Sequence, residues 1–274
     1  QFQHPTLQKD LIELKTLKKV EKGGDVLRIE LQLPFAWNTG VEQVKQQLSD
    51  ALLKATDSKE IKWVVNYQIA TLKRANNQPA VKGVKNIIAV TSGKGGVGKS
   101  SVSVNLALAL QAQGARVGIL DADIYGPSIP HMLGAPHQRP TSPDNQHITP
   151  IKAYGLSANS IGFLMDEDNA TIWRGPMASS ALSQLLNETL WDSLDYLVID
   201  MPPGTGDIQL TLSQQIPVTG AVVVTTPQDI ALLDAVKGVS MFERVSVPVL
   251  GIVENMSMHI CSNCGHHEAI FGTG

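Results

Sequence analysis

The stretch from Ile87 to Ser103 reads IIAVTSGKGGVGKSSVS, an apolar strand followed by a glycine-rich loop and the start of a helix. Residues 93–100 match the pattern G-x-x-x-x-G-K-[ST] in full. In such a loop, successive N–H groups point at phosphate oxygens, and the helix N-terminus adds positive charge. We therefore expect an ATP site in which Lys99 reaches the β- and γ-phosphates and the Ser100 hydroxyl binds Mg²⁺. The predicted nucleotide contacts in and after this loop are Gly93, Lys94, Gly95, Gly96, Val97, Gly98, Lys99, Ser100 and Ser101.

Short, continuous apolar runs recur after residue 86 and alternate with helical stretches. Runs of this kind are typical of strands buried on both faces of a parallel sheet, so we predict an α/β fold of the P-loop NTPase type with a mostly parallel sheet. Ligands in these sheets bind at the carboxyl ends of the strands, where this sequence places its polar residues. The predicted strands are Ile87–Val90, Val117–Leu120, Tyr196–Ile199, Ala221–Thr225 and Val249–Val253.

Acidic residues follow two of these strands. Asp200 ends one strand and is expected to hold Mg²⁺ through water, with Gly204 and Gly206 allowing the next segment to move with the γ-phosphate. Asp121 and Asp123 follow another strand in the order x-D-x-D. We favour Asp123 for orienting the attacking water and Asp121 for the magnesium side, although the sequence barely separates the two roles.

Lys94 is a second lysine, one residue into the loop. Within a single subunit it has no task that Lys99 does not already perform. We predict that it reaches phosphates bound by a second subunit, as an arginine finger does in trans, and that the protein is a homodimer. A solvated loop lysine is the simpler alternative.

The only two cysteines, Cys261 and Cys264, form a C-x-x-C-G turn. This turn serves zinc and iron–sulfur sites, both of which usually need four ligands. Either His266 and His267 complete a zinc site, or two chains each contribute two thiols to a [4Fe–4S] cluster or a zinc ion. A regulatory disulfide is a further alternative.

Composition indicates an ordered chain of one large and one small domain: 274 residues, 43% of them hydrophobic. Residues 1–75 hold 12 basic and 9 acidic side chains, whereas the remainder is acidic, and the whole carries a net charge of −3. This balance gives no reason to expect nucleic-acid binding, and no apolar run is long enough to span a membrane. Reduced thiols and the lack of a signal peptide favour the cytoplasm.

We divide the chain into a small α+β domain (1–74), a polar linker (75–86) and the ATPase domain (87–274). In the small domain, Leu7, Leu11 and Leu14 recur at helical spacing. The alternating run from Val26 to Leu33 predicts a strand, as does the run from Ile61 to Ile69, and Val41–Leu53 predicts an amphipathic helix.

Several motifs together resemble the Mrp/ApbC family of iron–sulfur cluster carrier ATPases, a branch of the deviant P-loop class. They are SGKGGVGKS, LDADIYGPSIP, WRGPM (Trp173 to Met177), DYLVIDMPPGTGD, TTPQD and GIVENMS followed by C-x-x-C. The likeness is close over about residues 84–274. The first 74 residues resemble more loosely the small iron–sulfur-assembly domain often fused to these ATPases, but lack its frequent cysteine.

The resemblance implies a homodimer that holds a labile [4Fe–4S] cluster through Cys261 and Cys264 of both subunits. It implies slow ATP hydrolysis, linked to receiving the cluster from scaffold proteins and delivering it to apo-proteins. It also implies that Asn255 contacts the adenine. Trp173 and Met177 are assigned to packing. Because the family pattern continues past the position of Gly274, we expect only part of the adenine site in this sequence.

Two other functions compete with the carrier. A septum-site or partition-type positioning ATPase would use an amphipathic basic helix or a DNA-binding stripe. A zinc-stabilised regulatory ATPase would hold zinc at the cysteine pair.

Overall fold

The structure is a computed structural model that describes residues 2–164 and 175–272, so Trp173 lies outside the described residues. The chain forms two compact units. One comprises Gln1–Ala70 with Leu110–Ala115, and the other comprises Thr71–Ala109 with Arg116–Gly274. Within the described residues, no helix combines the length and the hydropathy that crossing a bilayer requires.

The first unit contains a three-stranded sheet and one long helix. Its elements are β1 (Leu17–Gly23), β2 (Val26–Leu33), α1 (Asn38–Thr56) and β3 (Glu60–Tyr67). β2 is the central strand, antiparallel to β1 and parallel to β3. Its residues alternate between buried and more exposed, as the sequence predicted, and Leu27, Ile29 and Leu31 form the core of the unit. The predicted helix and second strand of this region are confirmed.

The helix predicted from Leu7 to Leu14 is wrong, because this segment folds into turns. Gln8 and Lys15 have φ angles of 53° and 55°, in the left-handed region that a right-handed helix excludes. The Asp10 carboxylate accepts hydrogen bonds from two of the N–H groups that follow it, and this local turn competes with a helix.

The second unit contains a seven-stranded sheet in the order β10-β9-β4-β8-β5-β7-β6. Neighbouring strands run parallel except β6, which is antiparallel to β7. Its strands are β4 (Val84–Ser92), β5 (Val117–Asp121), β6 (Ile151–Ala153), β7 (Leu156–Ser160), β8 (Leu194–Asp200), β9 (Gly220–Thr225) and β10 (Val249–Glu254). The α/β class and all five predicted strands are confirmed, but β10 is largely exposed and is not buried on both faces as its apolar run predicted.

Helices separate most of these strands along the chain. They are α2 (Lys99–Ala112), α3 (Ile129–Met132), α4 (Gly175–Asn187), α5 (Asp207–Gln215) and α6 (Asp229–Arg244). Apolar residues from α4, α5 and α6 join those of β4 and β8 in the main hydrophobic core. A two-stranded hairpin, β11 (His259–Ile260) and β12 (His267–Glu268), follows β10.

Residues 75–86, predicted as a linker, make specific contacts within the second unit. The Ala75 N–H donates to the Val218 carbonyl at 2.9 Å. Val81 is buried in the main core, and the buried Asn86 side chain donates to the Asp195 carbonyl at 3.1 Å. Val84 already belongs to β4. Packing therefore orders this stretch despite its polar composition.

Candidate nucleotide site and cysteine turn

The predicted phosphate loop, residues 93–98, joins the end of β4 to the start of α2 at Lys99. A Cβ added to Gly95 or Gly96 would meet no described atom within 4 Å, so the backbone at both positions faces open space. Phosphate oxygens can approach the loop from this side, and the N-terminus of α2 lies at its end.

Two other glycines of the loop lie against neighbouring elements. A Cβ on Gly93 would come within 2.5 Å of the Asp234 backbone in α6. Gly98 has a φ of +85°, and a Cβ there would lie 2.3 Å from the Asn255 amide nitrogen. Any side chain at these positions would displace the surrounding structure, so packing requires the glycines that the sequence places here.

Lys99 and Asp200 form a buried ion pair beneath the loop. The distance from Lys99 Nζ to Asp200 Oδ1 is 2.8 Å, and the two side chains are 6% and 0% exposed. The Ser100 and Ser103 hydroxyls donate to the two Asp200 carboxylate oxygens at 2.6 and 2.7 Å. Sequence reasoning missed Ser103, although its position one helical turn after Lys99 puts it on the same helix face.

Asp121 lies beside Asp200, because β5 and β8 are in register at these two residues. Its carboxylate accepts hydrogen bonds from the Asp123 N–H, the Ile129 N–H and the Ser160 hydroxyl, each at 3.1 Å. Burial and the charge of Asp200 raise the pKa of Asp121 to about 7, against the effect of these three donors. In this structure Asp121 therefore fixes the loop after β5.

Asp123 points toward Lys99, the first residue of α2. The distance from its Oδ2 to Lys99 Nζ is 3.8 Å, and 14% of its side chain is exposed. Burial raises the pKa of Asp123, while the charge of Lys99 lowers it and that of Asp200 raises it. Of the two acids after β5, Asp123 is the one that approaches Lys99.

The segment after β8 is tied to the start of the phosphate loop. The Gly204 N–H donates to the Ser92 carbonyl at 2.8 Å, and Gly204 has a φ of +111°. This hydrogen bond connects the segment directly to the residue that precedes the phosphate loop.

Lys94 is partly exposed, in contrast to Lys99. Its carbonyl accepts a hydrogen bond from the Ser92 hydroxyl at 2.8 Å. Lys99 has two carboxylates within 4 Å, whereas no ion pair to Lys94 forms in the part of the chain that the structure describes. Ser101, the last of the contacts predicted in and directly after the loop, is exposed on the first turn of α2.

Cys261 and Cys264 lie in the turn between β11 and β12, and neither forms a disulfide. The Cys261 N–H donates to the His266 carbonyl at 2.9 Å, and the Gly265 N–H donates to the Cys261 carbonyl at 2.8 Å. Cys264 is exposed and Cys261 partly so. The backbone N–H groups of Cys264 and Asn263, with the Cys264 thiol, lower the pKa of Cys261. The turn thus favours a thiolate at an accessible position.

Among residues 2–164 and 175–272, no three His, Cys, Asp or Glu side chains come close enough together to hold a metal ion. Among these residues, His266 and His267 therefore do not form a preassembled zinc site with the two cysteines.

The sequence pattern of one family, ParA-type NUBPL iron-transfer P-loop NTPases, matches residues 83–274. The chain belongs to this family. The match covers the phosphate loop, the acidic strand ends and the cysteine turn, and the resemblance inferred from the motifs is confirmed.

Bacterial relatives align with the whole length of this chain. It is 93% identical over 274 residues to the iron–sulfur cluster carrier protein of Haemophilus influenzae, covering all of this chain and 74% of that protein. It is 69% identical over 273 residues to the carrier protein of Escherichia coli K12, again covering 74% of that protein.

A solved structure gives the same fold. The nucleotide-binding protein from Archaeoglobus fulgidus, in complex with ADP, is 41% identical with a TM-score of 0.62. The alignment covers 70% of this chain and 75% of that one. This family member therefore has a P-loop NTPase fold.

Proposed function

We propose that this protein is a homodimeric, ATP-hydrolysing carrier that holds a labile [4Fe–4S] cluster between two copies and transfers it to apo-proteins. The observation that carries the proposal is the accessible pair of thiols, Cys261 and Cys264, in the same unit as a complete phosphate loop. The names of the bacterial relatives support the same function.

The nucleotide site uses the phosphate loop, with Lys99 on the β- and γ-phosphates. The Ser100 hydroxyl and the Asp200 carboxylate, 2.6 Å apart, are the oxygen donors that Mg²⁺ prefers, and they fit a magnesium site beside the loop. Bound there, Mg²⁺ would neutralise phosphate charge. We assign Asp121 to the magnesium side of the site because it lies next to Asp200 in the sheet. The Archaeoglobus protein, a nucleotide-binding protein in complex with ADP, supports nucleotide binding by this chain.

Slow ATP hydrolysis depends on two groups at the rim of the site. Asp123 orients the attacking water; its partial exposure and its approach to Lys99 support this role. Lys94 reaches phosphates bound by the second copy. Its partial exposure, and the lack of a carboxylate partner among the described residues, support this role.

The cluster is the cargo, and its protein ligands are Cys261 and Cys264 of each copy. Thiolate is the ligand that iron–sulfur clusters bind, and the hydrogen bonds to Cys261 favour that form. Two thiols from each of two copies supply the four ligands of a [4Fe–4S] cluster.

An apolar surface next to the cysteine turn supports the homodimer. Met256, Met258 and Ile260 alternate along the segment before Cys261, and each is between 43% and 56% exposed. Exposed apolar patches of this kind often mark protein interfaces. A second copy, a cluster scaffold and an apo-protein would all meet the chain near this surface in the cytoplasm.

Anaerobic reconstitution with iron and sulfide tests the proposal. We expect iron and sulfide at about 4:4 per dimer, and loss of both in a Cys261→Ala, Cys264→Ala double variant. Ser262→Ala, in the same turn, is the matched control and should hold the full cluster. Full iron content in the double variant, or one zinc and no iron in wild-type protein prepared without oxygen, would refute the cluster assignment.

A further inference from the structure

Asn255 joins the phosphate loop to the strand that leads toward the cysteines. It follows the last residue of β10, and its N–H donates to the Thr225 carbonyl at the end of β9 at 2.8 Å. Its side-chain amide donates to the Val97 carbonyl in the phosphate loop at 2.9 Å. The same amide nitrogen lies directly over Gly98, where the absence of a side chain leaves room for it. Asn255 is therefore held by the sheet on one side and by the loop on the other.

The carbonyl that Asn255 contacts belongs to the peptide unit between Val97 and Gly98 in the phosphate loop. The Val97 carbonyl and the Gly98 N–H share one planar peptide group, so the orientation of one fixes that of the other. Loop N–H groups are the donors to phosphate. A phosphate that accepts a hydrogen bond from Gly98 therefore orients and polarises the carbonyl that Asn255 binds.

Only a short segment separates Asn255 from the thiols. Met256 has a φ of +58°, so the chain turns sharply after Asn255, and β11 begins at His259. Cys261 lies six residues after Asn255 in the sequence. A segment this short limits how far the cysteine turn can move without Asn255 moving as well.

We propose that Asn255 is a positioning residue that transmits phosphate occupancy of the loop to the Cys261–Cys264 turn. In this role it acts through the Val97 carbonyl, in addition to any contact with a nucleotide base. The inference rests on the proposed function only in requiring a nucleotide at the loop. It does not depend on what the thiols hold.

The alkylation rate of the two thiols by iodoacetamide tests this inference in cluster-free, reduced protein. The assay uses the full chain with and without saturating Mg–ADP, at a concentration where light scattering shows single copies. Mass spectrometry follows Cys261 and Cys264 separately. We expect Mg–ADP to change the rate of at least one thiol by about fivefold or more, the lower end of typical site-to-site coupling.

Three variants separate transmission from binding. Asn255→Ala should reduce the ADP-dependent change to less than about twofold. Asn105→Ala is the matched control, because it also removes a hydrogen bond that a side-chain amide donates to a backbone carbonyl, that of Ser101 in α2, and it should keep the full change. Two glycines inserted after Ser257 leave Asn255 in place but slacken the connection, so this variant should bind ADP normally and lose the change.

Each result decides the inference. Wild-type protein that binds ADP without a change in either alkylation rate overturns it, as does an Asn255→Ala variant or an insertion variant that retains the full change. The proposed carrier function survives either outcome, because no iron is present in the assay. A wild-type chain that binds no ADP overturns both proposals.

Discussion

The phosphate loop and the cysteine turn lie in the same unit but are built in opposite ways. Beneath the loop, Lys99 and Asp200 are almost fully buried, and their ion pair is completed by two serine hydroxyls. The cysteine turn connects two strands of two residues each and exposes its thiols. A site built into the core is coupled to folding, whereas a site built on an exposed turn can be completed by another molecule. We therefore expect substitutions in the buried ion pair beneath the loop to affect both stability and function, and substitutions in the turn to affect function alone.

Lys99→Ala should give the largest effect, because it leaves Asp200 buried without its cation. Breaking a buried ion pair by removing one partner costs about 3–5 kcal/mol. We expect the free energy of unfolding, measured by urea denaturation, to fall by about that amount and ATP hydrolysis to be lost. Lys94→Ala is the matched control and should change stability by less than about 0.5 kcal/mol. Equal stability of Lys99→Ala and wild type would show that the loop is not coupled to folding.

Lys94→Ala should lower ATP hydrolysis by about 1,000-fold, as for a catalytic finger supplied in trans, and change ADP affinity little. The exposed Lys82→Ala is the control for loss of surface charge. Mixing Lys94→Ala chains with Asp123→Asn chains should restore part of the activity, since one site of the mixed dimer then has both groups. Equal loss of binding and hydrolysis, with no recovery on mixing, would place Lys94 in its own subunit's site.

Asp121 should make the stability of the loop region depend on pH. Its pKa is raised from 3.8 to about 7, so its contribution is fully present below about pH 4 and is lost as the pH rises through 7. In the wild type we expect the free energy of unfolding to fall by about 1 kcal/mol per pH unit over this window. Asp121→Asn should abolish this fall. Denaturation at pH 5, 6, 7 and 8 measures the slope, and parallel curves for variant and wild type would contradict the assignment.

The smallest effect on stability should come from the cysteine turn. Cys261→Ser and Cys264→Ser should each change the free energy of unfolding by less than about 0.5 kcal/mol, because the thiols lie on an exposed turn outside the core. Iron content after anaerobic reconstitution should nevertheless be lost. A clear loss of stability in cluster-free protein would show that the turn, like the buried ion pair, contributes to the stability of the fold.

The sequence predicted the elements of the second unit well where burial dictates a continuous apolar run. β4, β5 and β8 are such runs, and the polar residues after them meet at one edge of the sheet. It failed where no apolar run marks the strand. β7 reads LSANS and is fully buried, because the Asn159 side chain donates to the Thr189 hydroxyl and Ser160 donates to Asp121. Those partners are distant in the sequence, so local pattern could not reveal them.

In the first unit the prediction failed in the opposite way, because a helical pattern of leucines is present but no helix forms. Leucines at helical spacing near residue 10 lie in turns, since side-chain hydrogen bonds and left-handed residues interrupt the helix. β1 escaped prediction because it is an exposed, lysine-rich edge strand with little apolar periodicity.

The sequence by itself determined the phosphate loop, the α/β class and the cysteine turn, because each depends on residues that are adjacent along the chain. Only the tertiary structure decided how these parts contact one another. The pairing of Lys99 and Ser103 with Asp200, and of Asn255 with the Val97 carbonyl, joins residues about 100 or more positions apart. Such contacts depend on which strands become neighbours in the sheet, and local sequence periodicity carries no record of that order.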